Sequence, residues 1–408
     1  MPDDPRQALL RICQSAIAAV HGRECVRAYL QKHPVAAPVF LLSVGKAACA
    51  MAMGAHQVLG TNIVDALIVT KQGHAEALPW PVLEAGHPLP DERSLAAGQR
   101  LIEFTASIPP DATVLVLLSG GASALVEALP EGMHLAQLRA LNDWLLASGL
   151  NIAAMNRIRK RLSRIKGGRL ASLITPRPVL CLAISDVPGD DPRAIGSGPL
   201  VADSSLQAEL DTTDLPPAVA ALLRSSPPAP AADDACFRNV RFEIIARLDD
   251  AKRAAAEAAR QFGYRVALHP EFIEGDALAA GARLAQALLA APAGEVQVWG
   301  GETTIQLPPL PGRGGRNQSL ALSAALALQG QEHSWLLSVG TDGTDGPTLD
   351  AGALVDGGTV VRGEAGEISA RHALAYADAG NFLEASGDLI QTGPTGTNVM
   401  DLMLGLRA

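Results

Sequence analysis

Val114-Leu-Val-Leu-Leu118, followed at once by Ser119-Gly-Gly-Ala-Ser123, is the stretch on which the fold of this chain turns. Five consecutive apolar residues with no polar alternation predict a strand covered on both faces, as in a parallel sheet. The glycines that follow predict an abrupt turn into a helix. The same phrase recurs on either side. Val39-Phe-Leu-Leu42 runs into Ser43-Val-Gly-Lys46, and Ala66-Leu-Ile-Val69 runs into Thr70-Lys-Gln-Gly73. Val179-Leu-Cys-Leu-Ala-Ile184 runs into Ser185-Asp-Val-Pro-Gly-Asp190. Between them Gln7 to Val20, Arg139 to Leu150 and Arg157 to Leu173 carry helical spacing, the last interrupted at Gly167-Gly168. Strands alternating with helices give an α/β fold, and in such open sheets the chemistry sits beyond the carboxyl ends of the strands.

A Pro- and Ala-rich passage at about 211–234 reads as a linker or surface excursion. A second α/β unit follows, with strands at Phe242–Ile245, Tyr264–Leu268, Glu295–Trp299 and Ser334–Val339. Asp249 is placed to cap a helix running through Gln261, and Ser319 to Leu328 is a further helix. The expected division is 1–235 and 236–408, in keeping with a chain of 408 residues that is long for one core.

Composition narrows the function. Hydrophobic residues make up 48% of the chain and charged residues 18%, which argues for well-filled cores over disorder. A formal charge of −9 with 3% aromatic residues argues against nucleic acid as a partner, since that binding calls for a basic face and stacking rings. An acidic chain that handles acidic ligands must gather its few cations locally. The five cysteines are scattered and form no CxxC pair, the N-terminus has no apolar signal region, and no apolar run spans a membrane. The expectation is a cytoplasmic protein with neither zinc nor disulfides and no membrane partner.

Phosphoryl transfer needs cations and amides around phosphate oxygens, carboxylates for magnesium, and a group that orients or deprotonates the acceptor. Ser119, Gly120, Gly121 and Ser123 form a candidate phosphate cradle. Lys46 is one of only six lysines among 33 cationic residues, and it sits in a glycine turn where a compact ammonium suits a phosphate. Lys166, before Gly167-Gly168, is a further candidate for phosphate. Arg313 and Arg316 lie in Gly312-Arg-Gly-Gly-Arg-Asn317, at a loop entering a helix, where a planar guanidinium fits carboxylate or phosphate. Asp342 and Asp345 in Gly340-Thr-Asp-Gly-Thr-Asp-Gly346 are candidates for a base or for magnesium, with Asp186, Asp190, Asp191 and Glu302 behind them. Each glycine turn and each aspartate also has a plain role as a turn former or helix cap. No P-loop, no GxGxxG after a strand, no HExxH and no Gly-x-Ser-x-Gly is present. The residues alone lead to an α/β enzyme for a small phosphorylated or anionic ligand.

The loops taken together resemble the glycerate 2-kinase family, whose C-terminal part is the MOFRL domain. The resemblance rests on Ser43–Ala48, Leu118–Ala124, Leu162–Ala171, Ser185–Pro192, Ile195–Pro199, Gly300–Thr304, Gly312–Gln318, Gly340–Pro347 and Thr392–Asn398, in the family's order along nearly the whole chain. It implies two Rossmann-like α/β domains with mostly parallel sheets, an interdomain cleft, and a C-terminal tail returning to that cleft. It also implies D-glycerate and ATP as substrates, Mg²⁺ as the ion, and 2-phosphoglycerate as product, in a monomer or homodimer. Lys46, Arg316 and Asp342 match the residues that matter for family catalysis. Ser119, Gly120, Gly121, Ser123, Lys166, Gly167 and Gly168 are then expected at nucleotide phosphates, Gly45, Asp186, Glu302 and Asn317 at substrate, and Asp186 and Asp345 at metal. Arg161 and Met400 depart from the family pattern, which has His and Asn there. A hydroxypyruvate reductase and a non-catalytic sensor of small phosphorylated acids are the competing readings.

Overall fold

The structure, a computed structural model, describes residues 4–208, 215–366 and 368–408. The chain divides into two compact units, one of Gly22–Ile245 and one of the chain up to His21 together with Ala246–Ala408. This differs from the expected break at 235/236 at both ends. The strand that opens at Val240 completes the first sheet, and the opening helix belongs with the second unit.

In the unit of Gly22–Ile245 six strands form one sheet: β1 (Val39–Val44), β2 (Ile63–Lys71), β3 (Val82–Ala85), β4 (Thr113–Leu118), β5 (Val179–Ile184) and β6 (Val240–Ala246). Their order is β3-β2-β1-β4-β5-β6. This is the strand order of the dinucleotide-binding doubly wound fold, and it reverses between β1 and β4. The pairings of β1 with β2 and β4, of β2 with β3, and of β4 with β5 are all parallel. Every residue of β1, β4 and β5 is buried, as their unbroken apolar runs predict. Phe40, Leu42, Val114 and Val116 pack on Leu101 and Phe104 of the helix Glu92–Ser107. The interruption expected at Gly167-Gly168 is present: the stretch forms two helices, Ile152–Arg161 and Arg169–Ile174, and both glycines take positive φ. Part of the expected linker, residues 211–214, lies outside the described residues, and beyond it Pro217–Ser225 is helical.

The other unit holds β7 (Arg265–Asp276), β8 (Glu295–Thr304), β9 (Ser334–Gly340), β10 (Gly352–Asp356), β11 (Leu389–Ile390) and β12 (Asp401–Arg407). Their order is β11-β10-β9-β12-β8-β7. Here β7 and β8 pair in parallel, while β12 lies antiparallel between β8 and β9, and β10 is antiparallel to β9. β12 and β10 thus run against the other strands. The helix Leu248–Gln261 begins one residue before the expected Asp249 cap, and it is Asp250 that accepts from the Arg247 amide at 3.0 Å. Leu9, Ile12 and Ala16 of the opening helix Pro5–Ala19 are fully buried against Ala255, Ala259, Val298, Leu337 and Leu404.

Leu9→Ala is expected to destabilise the unit holding Ala246–Ala408 by about 2–5 kcal/mol, the cost of emptying a buried leucine site. Urea unfolding of the variant beside the parent checks this, and an unchanged midpoint would mean that the helix contributes nothing to that core.

Candidate active site

β1 and β4 pair in register from Val39↔Thr113 to Val44↔Leu118, so Gly45 and Ser119 leave the sheet side by side at the point where strand order reverses. Gly45 has φ +135°, and a Cβ there would stand 2.1 Å from Ser119 Oγ, so only glycine permits the approach. The two turns are then tied together. Lys46 N–H donates to the Gly120 carbonyl at 2.9 Å, and Ala47 N–H donates to Ser119 Oγ at 3.1 Å. Thr70 Oγ1 donates to the Gly45 carbonyl at 3.1 Å. Gly121, at φ +85°, faces a narrow space. A Cβ there would lie 3.0 Å from His87 Cδ2 and 3.4 Å from Lys46 Cγ. Lys46 and His87 therefore flank the glycine turn, and among the described residues the Gly120 and Gly121 amides donate to no backbone carbonyl. This arrangement can hold an anion.

Lys166 is not part of that cradle. Its ammonium donates to Glu127 Oε2 at 2.5 Å and to the Ser123 carbonyl at 2.8 Å, and both charged side chains are buried. Ser163 Oγ holds the other Glu127 oxygen at 2.6 Å. Lys166, expected at a nucleotide phosphate, here forms a buried latch with Glu127 beside Ser123. The amides of Gly167 and Gly168, expected at the same phosphates, donate to the carbonyls of Ser197 and Gly198 at 3.0 and 2.8 Å. Ser123 Oγ meets Ser197 Oγ at 2.7 Å. Asp186 follows the end of β5, and Asp191 is engaged by Arg193 at 2.8 Å.

In the other unit the decisive residue is one the sequence reading passed over. β12 runs against β8 and β9, so its first residue, Asp401, pairs with Gly301 near the end of β8 and Gly340 at the end of β9. Asp401 is fully buried and takes Arg316 Nε at 2.7 Å and Nη2 at 3.1 Å, a two-pronged pair. Glu302 Oε1 approaches the same guanidinium at 3.0 Å. Burial disfavours the Arg316 charge, but Asp401 and Glu302 outweigh it and raise the Arg316 pKa above its ordinary value. Asp342 Oδ1 accepts from the Thr344 amide at 3.0 Å and the Thr344 hydroxyl at 3.2 Å.

Asp345, expected at a metal, instead caps the helix Arg316–Leu328. Its oxygens accept from the amides of Asn317 at 3.0 Å and Gln318 at 2.8 Å. Asn317, expected at substrate, is buried with its side-chain oxygen accepting from Ser338 at 2.6 Å. Arg313 pairs with Asp350 at 2.7 Å and Glu384 at 2.5 Å and so anchors its loop. Met400, between Asn398 and Asp401, has φ +69°. Its carbonyl accepts from the Thr341 amide at 3.0 Å and hydroxyl at 2.7 Å, which ties the Asp342 loop to the start of β12. A left-handed backbone suits the family's asparagine better than methionine.

Family models match at residues 8–220, described as a domain of unknown function (DUF4147), and at 295–401, described as the MOFRL family. A D-glycerate 2-kinase of Thermotoga maritima is 37% identical, with the match covering 99% of both chains. The chain belongs to the glycerate 2-kinase family. A protein of Agrobacterium vitis carrying a provisional hydroxypyruvate reductase name is 37% identical over 97% of this chain and 93% of its own. The crystal structure of a Thermotoga maritima glycerate kinase superposes with a TM-score of 0.87 and 36% identity, covering both chains in full. This kinase-family chain carries Lys46 in the unit of Gly22–Ile245, and Arg316 and Asp342 in the other. No helix among the described residues is long and apolar enough to cross a membrane.

Burial, with Asp401 nearby, raises the Asp345 carboxyl from 3.8 to about 7, against the pull of the Gln318 and Asn317 amides and of Arg316. A raised carboxyl contributes stability below its unfolded pKa and loses it as pH climbs through the folded value. The parent is therefore expected to lose stability relative to Asp345→Asn between about pH 4 and 7, by on the order of 1 kcal/mol or more. Urea titrations of both proteins across that range test this, and a constant difference would count against it. Lys166→Met leaves Glu127 buried without its partner and is expected to cost about 3–5 kcal/mol, read in the same titrations, with parental stability the contrary result.

Proposed function

We propose that this chain transfers the γ-phosphoryl group of ATP to the 2-hydroxyl of D-glycerate, releasing 2-phosphoglycerate and ADP. The observation that carries the reading is the glycine turn at the reversal of strand order, where Lys46 and His87 border the space in front of Gly121. Membership of a family with named glycerate kinases supports the acceptor.

Each residue's part follows from its surroundings. Lys46 supplies compact positive charge to phosphate oxygens as charge moves between them. Arg316 already faces Asp401 and Glu302, so it adds little net charge. Its contribution is a fixed plane of N–H donors that orients the acceptor. Asp342 accepts the hydroxyl proton, with Thr344 setting the direction of its carboxylate.

Mg²⁺ would neutralise charge on the triphosphate when bound. Among the described residues no three His, Cys, Asp or Glu side chains group as a metal cage. Magnesium usually keeps several waters and is bound through phosphates and one or two carboxylates, for which Asp186, just beyond the end of β5, is the candidate here. The reductase reading would need a nicotinamide site, and the end of β1 with its turn reads Ser43-Val-Gly-Lys46 with no GxGxxG.

Purified protein given ATP, Mg²⁺ and D-glycerate is expected to form 2-phosphoglycerate in a coupled assay blind to the 3-isomer. Formation of the 3-isomer alone, or NADH-dependent loss of hydroxypyruvate without ATP, would overturn the reading. Lys46→Ala and Asp342→Ala are expected to lower kcat by about 10²-fold or more with circular dichroism unchanged. Arg316→Ala would strand the buried Asp401, so Arg316→Lys is the informative change. It keeps the charge, loses the two-pronged pair, and is expected to lower kcat by about tenfold or more.

A further inference from the structure

The loop after β5 holds three successive residues in the left-handed region, Gly196 at φ +56°, Ser197 at +65° and Gly198 at +61°. Hydrogen bonds fix that path. The amides of Ser197 and Gly198 donate to the carbonyls of Ala194 and Ile195, both at 2.9 Å, while their carbonyls hold the amides of Gly167 and Gly168. A Cβ on Gly198 would stand 2.7 Å from the Arg193 carbonyl oxygen, so glycine is required there. At the middle position glycine would also be the unstrained residue, and a serine stands there instead. A side chain held against its backbone preference points to a use for that side chain.

Among the described residues the Ser197 hydroxyl makes one hydrogen bond, to Ser123 Oγ at 2.7 Å. The two serines stand 74 residues apart, just beyond the ends of the neighbouring strands β5 and β4, whose parallel pairing brings their loops together. The loops also pack on each other, since a Cβ on Gly196 would lie 3.5 Å from Ala122 Cβ. Ser123 is thus held twice, by the Lys166 ammonium on its carbonyl at 2.8 Å and by Ser197 on its hydroxyl. Both serines are half-buried. Two hydroxyls carry two hydrogens, and the bond between them uses one. One O–H is left to donate, and it lies two residues past Gly121 in the turn that can hold an anion. An anion there draws the spare hydrogen to Ser123, which makes Ser197 the donor within the pair. A hydroxyl whose oxygen accepts a bond is itself a stronger donor.

We propose that Ser197 is a positioning residue for phosphoryl transfer: it donates to Ser123 Oγ and so aims the Ser123 hydroxyl at a phosphate oxygen held in the glycine turn. This rests on the kinase reading, and it adds to the charge of Lys46 a neutral donor of fixed direction. The left-handed strain at Ser197 is then stability given up for the direction of one O–H. Ser197 touches no substrate itself and acts through Ser123.

Steady-state kinetics and thermal melting of Ser197→Gly, Ser123→Ala and the double variant test the assignment on the full chain. Glycine suits φ +65°, so Ser197→Gly is expected to melt at or above the parent's temperature. Its kcat is nonetheless expected to fall about tenfold, with the KM for ATP and for D-glycerate each within about twofold. Ser123→Ala is expected to lose about 10²-fold in kcat. The double variant is expected to lose no more than that, because Ser197 acts only through Ser123. Parental kcat in Ser197→Gly would overturn the positioning role and leave the kinase reading standing. Losses that multiply in the double variant would do the same, since Ser197 would then act apart from Ser123. Melting of Ser197→Gly well below the parent would make the serine a structural tie and equally overturn the role. A parent protein that forms no 2-phosphoglycerate would fail earlier, at the kinase reading, and take the assignment with it.

Discussion

The in-register parallel pairing of β1 with β4 is the constraint on which the Gly22–Ile245 unit depends. Two buried strands that end at the same height deliver their turns to the same place. The turns can then share that place only if one of them gives up its side chain. Gly45 does so against Ser119, and the Lys46 amide closes the join on the Gly120 carbonyl. Gly121, next in the turn, takes a left-handed conformation, with His87 and Lys46 both close to where a side chain there would stand. Below it, the buried Lys166–Glu127 pair fixes Ser123 from the protein interior. A cation at an edge of this sheet is thus either part of a structural latch or directed at a ligand, and only its partners tell the two apart.

The other unit reaches a similar end by antiparallel pairing. Because β12 runs back between β8 and β9, its first residue lies where theirs finish. Asp401 therefore meets Arg316 from 85 residues away along the chain and fixes the guanidinium plane. Glu302, Asp342 and Asp345 surround the same edge, each through a different local device: an ion pair, a threonine cap and a helix cap. The strained Met400 connects them, since its carbonyl holds Thr341 on one side while Asp401 follows on the other. A left-handed non-glycine residue persists only where surrounding bonds over-determine it, and here they do.

Charge separates the two edges. The edge of the Gly22–Ile245 sheet brings Lys46 to the glycine turn, while the edge of the second sheet is carboxylate-rich with one guanidinium already matched. An acidic protein that works on anions needs the first kind of local reserve, because long-range attraction is against it. The second kind suits proton acceptance and hydrogen-bond direction more than neutralisation. The separate parts proposed for Lys46, Arg316 and Asp342 follow from these surroundings.

Much of the fold was legible in the residues. The apolar runs at Val39–Leu42, Val114–Leu118 and Val179–Ile184 announced buried parallel strands, and the glycine turns after them marked the edge where chemistry belongs. Lys46 stood out because a lysine in a glycine turn is informative in a chain that prefers arginine. Residue types and local periodicity determine this much, since strand burial and turn strain are properties of neighbours in sequence. Tertiary structure alone decided which charges are committed. Only the structure puts Glu127 against the Lys166 ammonium and the Asp345 oxygens on the end of a helix. Asp401 and His87 carry no motif, and only sheet order and register bring them to their places. Pairing between distant strands sets those distances, and hydrogen bonds and desolvation act across space without regard to separation along the chain.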